Sequence, residues 1–169
     1  MKAWSKRTVW ACVTLLAALA SRGAIADDGS VLRWQEVIGI IQAGNVVGGI
    51  PGGGQPWSTL GGRASASLSG RLRFRVDGLV LAGGNAIGTA DGIAQVRGTL
   101  VCDPGGADQA VVDGPLVDLS PTGDAEFDGD VGPLPAVCGD ATKPVAFLVR
   151  IAGAGRWIAN GAVFSRNGD

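Results

Sequence analysis

The chain has 169 residues and a formal net charge of −1, and 46% of it is apolar, enough material for one packed domain. It contains no histidine and no tyrosine. That excludes a Ser-His-Asp triad, a Cys-His dyad, His-ligated zinc or copper, and any imidazole acid or base.

Lys2, Lys6 and Arg7 precede an apolar run from Val9 to Ala20, and Ala24-Ile25-Ala26 supplies the small-x-small pattern that signal peptidase reads. Residues 1–26 are therefore expected to be a signal peptide, and residues 27–169 a single exported domain, periplasmic or extracellular. The apolar run stops at Ser21-Arg22, short of the ~20 residues that a spanning helix needs, and no later segment is long and apolar enough to cross a bilayer. Cleavage leaves 143 of the 169 residues. It removes four of the 14 basic residues and none of the 15 acidic ones, so the net charge moves from −1 to −5. An acidic domain of this kind does not favour nucleic acid. Cys12 leaves with the leader. Cys102 and Cys138 remain, and an even number of cysteines in an exported chain predicts a disulfide. On the chain-entropy model it stabilises the fold by roughly 4 kcal/mol.

Along the mature chain, Val31 to Gln42 is rich in β-branched residues, interrupted by Gly39, and is read as a strand. Residues 44–62 (GNVVGGIPGGGQPWSTLGG) form a glycine- and proline-rich loop, and a loop of this length is commonly functional or mobile. It lacks the Lys-Ser/Thr and the following helix of a phosphate-binding loop. Ala64 to Leu68 and Arg71 to Val76 flank Ser69-Gly70 at hairpin spacing. Arg71, Arg73 and Arg75 alternate with Leu72, Phe74 and Val76, which gives one basic face and one apolar face. The apolar parity shifts after Asp77-Gly78, predicting a bulge that keeps Leu79 and Leu81 inward.

Residues 82–92 read as a turn, and Ala94 to Cys102 as a strand with Val96, Leu100 and Cys102 inward. Ala110 to Val112 and Leu116 to Leu119 are short runs separated by Asp113-Gly114-Pro115. Ala125 to Phe127 follows, then an extended, proline-stiffened approach from Pro133 to Cys138. Val145 to Ala152 and Arg156 to Phe164 are the last two strands, with a bulge expected at Asn160-Gly161. Eight or nine short strands, frequent turn signals and no sustained 3.6-residue period predict an all-β protein. The expected form is an antiparallel β-sandwich of Ig-like or jelly-roll connectivity, or a small β-barrel.

The segments GRLRFRVDGLVLAGGNAIGT, GTLVC, PLPAVC and WIANGAV resemble those of small exported bacterial proteins with two cysteines and an all-β fold. The resemblance spans most of the mature chain. It implies architecture and no activity, so no functional residue is carried over from it.

Three groups of residues carry the functional expectations. Asp124, Glu126, Asp128 and Asp130 recur at every second position, as at the start of a calcium loop. Pro135 stands where an EF-hand needs its bidentate glutamate, which leaves only a looser calcium site at a sheet edge. The alternative is an outward-facing acidic row of Asp124, Glu126 and Asp128 that pairs with Arg71, Arg73 and Arg75 on a neighbouring strand. Such a ladder sets register, each pair contributing about 0.2–1 kcal/mol. The same arginines are also candidates for binding an acidic glycan or another cell-surface polymer. Trp57, after Pro56 in the long loop, is a candidate for stacking on a sugar ring, and its alternative is a ring folded back to cap the core. No catalytic residue and no resident cofactor is assigned. The function expected is an exported, non-enzymatic binding or structural module with a cell-surface glycan or protein as partner. A carbohydrate- or calcium-linked recognition domain is second, and a small hydrolase using two carboxylates is third.

Overall fold

The computed structural model describes residues 31–166. The expected signal peptide, its cleavage site and Cys12 lie outside the described residues. The chain runs through β1 (Val31–Gly39), β2 (Val46–Val47), β3 (Ile50–Pro51), β4 (Trp57–Ser58), β5 (Gly61–Ser67), β6 (Arg71–Asp77), β7 (Val80–Leu81) and β8 (Gln95–Cys102). It continues through β9 (Ala110–Asp113), β10 (Val117–Asp118), β11 (Ala125–Asp130), a single helical turn α1 (Ala136–Gly139), β12 (Val145–Ile151) and β13 (Trp157–Arg166). Nine strands form one antiparallel sheet in the order β10-β8-β12-β13-β1-β5-β6-β11, with β9 also paired to β8. The all-β antiparallel expectation holds, and it is realised as a continuous sheet curled into a half-barrel.

Alternation builds the inner face. On β6, Leu72, Phe74 and Val76 are buried while Arg71, Arg73 and Arg75 are exposed. The curl brings β6 over β8 and β12, so the Phe74 ring lies 5.6 Å from Phe147, and Phe147 lies 5.7 Å from Trp34. Each fully buried aliphatic or aromatic side chain of this core contributes about 1.5–3 kcal/mol.

β8 and β12 are buried on both faces. Ladder parity puts Val96, Leu100 and Cys102 inside, as expected, and Thr99 and Val101 outside together with Leu148 of β12. Thr99, Val101 and Leu148 are nonetheless 0% exposed. The hairpin of β2 and β3 supplies the cover over Val101, since a Cβ on Gly48 would come within 2.6 Å of Val101 Cγ1. The long loop is therefore a structured lid on the sheet. Its backbone is tied down by Gly53 N donating to Trp157 O at 2.8 Å and Gly52 N to Asn45 O at 2.6 Å.

Several local expectations change. After Asp77 the chain leaves the main sheet at Gly78, whose φ is +62°, and Val80–Leu81 pairs instead with Trp57–Ser58. Leu79 and Leu81 do turn inward, through a strand break and not a bulge. The Asn160-Gly161 pair sits within a regular ladder against Ile38 and Val37. Gly161 is there because the Trp34 ring abuts it, leaving no room for a Cβ. The register shift falls instead between Val149 and Arg150 of β12, opposite the start of β13. The approach to Cys138 ends in the turn of helix α1. Cys102 and Cys138, both buried, form the expected disulfide with Cα atoms 5.0 Å apart, linking the end of β8 to α1.

Candidate functional site

The outer face of β1, β5, β6 and β11 holds the charged residues that the core excludes, and the ladder fixes them in two rows. Arg33 of β1 stands opposite Ser65 of β5, Ser65 opposite Arg73 of β6, and Arg73 opposite Asp128 of β11. In the next row Arg63 stands opposite Arg75, and Arg75 opposite Glu126, with Gln35 on the β1 side. These two rows line a shallow depression of about 1040 Å³. The inward-facing Trp34, Ala64 and Phe74 contribute to its floor.

β6 and β11 are neighbours, as the expected ladder requires, but its membership is corrected: Asp130, Asp128 and Glu126 stand opposite Arg71, Arg73 and Arg75, and Asp124 has no place in the row. The close pairs are narrower than that register. Arg71 Nε and Arg73 Nε both donate to Asp128 Oδ1, at 2.6 and 3.0 Å, and Arg75 Nε donates to Asp77 Oδ1 at 2.9 Å. Hydrogen bonding from Arg71, reinforced by Arg73, holds the Asp128 carboxyl below the usual carboxylate range. Asp124 lies outside the ladder and ties the turn before β11. It accepts from Thr122 Oγ1 at 2.7 Å, Gly78 N at 3.0 Å and Ser120 Oγ at 3.0 Å. Those bonds, Thr122 first, lower its pKa as well.

The geometry spreads the carboxylates of the calcium expectation over separate contacts. Asp124 is spent on the turn, Asp128 on two guanidinium groups, and Asp130 accepts from Gly132 N at 2.7 Å. Asp124, Glu126, Asp128 and Asp130 do not converge, and among the described residues no group of three or more His, Cys, Asp or Glu side chains is arranged to hold a metal ion. The stacking expectation for Trp57 is corrected. The residue is 5% exposed, its backbone N–H donates to Ile40 O at 2.8 Å, and it pairs with Leu81, so it caps the core and offers no stacking face. Burial of so large an apolar surface outweighs exposure on a loop.

Four side chains around the depression escaped the sequence reading: Arg33, Gln35, Arg63 and Ser65. Their alternation with Leu32, Trp34, Ala64 and Ala66 is visible in the chain, but the pairing that gathers them is not. Among the described residues none of the four makes a side-chain hydrogen bond, and Arg33 and Arg63 have no carboxylate within ion-pair distance. Every other arginine described has a partner. Arg97 and Arg150 share Asp113, Arg156 donates to Gly52 O, and Arg166 donates to Cys138 O and Lys143 O.

Among the described residues no helix is long and apolar enough to cross a membrane. No protein-family model matches the chain, and neither does any curated protein or solved structure in the comparisons made.

Proposed function

We propose that this protein is an exported, non-enzymatic binding module whose outer face on β1, β5 and β6 takes an acidic glycan. One observation carries the reading: Arg33 and Arg63 stand unpaired among the described residues, and Arg63 lies directly across from the like-charged Arg75. Like charges opposite one another on neighbouring strands are destabilising. Folding gains nothing from that placement, whereas a planar, always-charged guanidinium is well suited to carboxylate or phosphate groups. Export is supported by the leader-like N-terminus and by the disulfide, which belongs to an oxidising compartment. The absence of histidine, and the engagement of Asp124 and Asp128 in hydrogen bonds, support a binding role over catalysis.

The test is titration of the mature chain with acidic and neutral oligosaccharides at two salt concentrations. Acidic oligosaccharides are expected to bind and to weaken as ionic strength rises, because exposed charges are screened. Binding of neutral sugars alone, or of none, would overturn the reading. Cell fractionation checks the compartment: an intact leader on protein retained in the cytoplasm counts against export.

A further inference from the structure

We infer that the depression contains a discrete subsite, centred on the Ser65 hydroxyl, for a tetrahedral oxyanion ester carried by the ligand: a sulfate or phosphate half-ester in preference to a uronate carboxylate. The inference rests on the binding-face reading above and specifies its chemistry. Ser65 is flanked across the ladder by Arg33 on one side and Arg73 on the other, and Arg63 lies two residues away on its own strand, on the same face. With strands about 4.8 Å apart and two residues along a strand covering about 6.8 Å, the three arginine Cα positions form a triangle with sides of about 8–10 Å. Ser65 sits at the middle of its base, within reach of all three side chains.

The donor set decides the ligand class. Each guanidinium carries five N–H donors. Arg73 commits its Nε to Asp128, leaving its terminal nitrogens free, and Arg33 and Arg63 commit none among the described residues. A carboxylate presents two oxygens and a single charge to this set. A phosphate ester presents three strong acceptor oxygens and about −1.5 to −2 of charge, and a sulfate ester presents the same three-oxygen face. Three guanidinium groups and one hydroxyl match three oxygens, and bidentate charge-assisted bonds of this kind are about twice as strong as neutral ones. Folding has no use for the convergence, since the row's one carboxylate, Asp128, is already shared by Arg71 and Arg73.

Amide chemical-shift mapping of the mature chain tests this, with sodium sulfate, phosphate and acetate titrated at constant ionic strength. The same protein is then titrated with sulfated, phosphorylated and uronate oligosaccharides, which tells the two ester sources apart. Sulfate or phosphate is expected to move the amides of residues 63–66 and to bind at least about tenfold more tightly than acetate. The double variant Arg33→Ala/Arg63→Ala, at two exposed positions, is expected to lose that binding with its amide spectrum otherwise intact. Arg97→Ala, which alters the arginine pair at Asp113, is expected to leave it unchanged. Equal shifts with acetate, or unchanged sulfate binding by the double variant, would sink the inference. Uronate binding that depends on Arg33 and Arg63 but is not competed by sulfate overturns the subsite and leaves the binding-module reading standing. Sulfate bound at Ser65 with no acidic oligosaccharide bound supports the subsite and removes the glycan.

Discussion

At Gly98 the two sides of the curled sheet come close enough that a methyl group has no place. A Cβ there would lie 2.8 Å from Phe74 Cδ1 and 3.0 Å from Phe147 Cε2. Gly98→Ala is expected to cost about 1–3 kcal/mol through overpacking, read as a lower urea midpoint with an unchanged m-value. Asp124 works at the same scale by hydrogen bonding. Its carboxylate joins Thr122, Ser120 and Gly78, and its native pKa is depressed, Thr122 contributing most. A group whose folded pKa lies below its unfolded value of about 3.9 stabilises the fold above that pH. The contribution fades as pH falls through the depressed native value. Asp124→Ala is therefore expected to melt lower than the parent at pH 7 and to converge with it in acid. A gap that stays constant down to pH 2 would mean that the carboxylate charge does not matter. Lys143 follows the opposite sign. Its hydrogen bond to Asp103 at 3.0 Å raises its pKa, so its contribution holds below the ordinary lysine value and is lost at more alkaline pH.

At the scale of the elements, strand alternation in β6 was legible because period-2 burial leaves its mark on neighbouring residues. The irregular point of β1 and β13 was not. The apolar parity of β1 switches between Trp34 and Val37, and the ladder to β13 skips Gln35 and Val163. Val163 adopts φ +51°, in the left-handed region that a β-branched residue rarely enters. Its side chain is 56% exposed, so little packing compensates. Val163→Asn is expected to stabilise the protein by about 1 kcal/mol, since asparagine tolerates that conformation. A lower melting temperature for the variant would contradict this. The hairpin of β2 and β3 makes the complementary point. Its glycines suggest looseness, yet it buries Val101 of β8 because an apolar outer face needs covering.

For the whole molecule, the Cys102–Cys138 bond closes a loop of sequence separation 36 and ties α1 to the sheet. Arg166 reinforces the same corner by donating to Cys138 O and Lys143 O, at 2.9 and 2.8 Å. Cys102→Ala/Cys138→Ala is expected to lose about 2–5 kcal/mol, by analogy with native disulfides of small secreted domains, measured by denaturant unfolding against the oxidised parent. A loss under 1 kcal/mol would show that Arg166 and the packing of α1 already hold the loop.

The chain by itself determined the all-β class, the inner residues of β6 and β8, the identity of the cysteine pair, and an acidic row suited to the arginines of β6. Each of these follows from local periodicity or from counting residue types. Only the tertiary structure decided that Arg63 faces Arg75, that Arg33 and Arg73 flank Ser65, that Trp57 is core, and that Asp124 closes a turn. The physical reason is register. Strand order and pairing are long-range choices made by the curled sheet as it closes over its apolar face, and no single strand carries them in its own sequence.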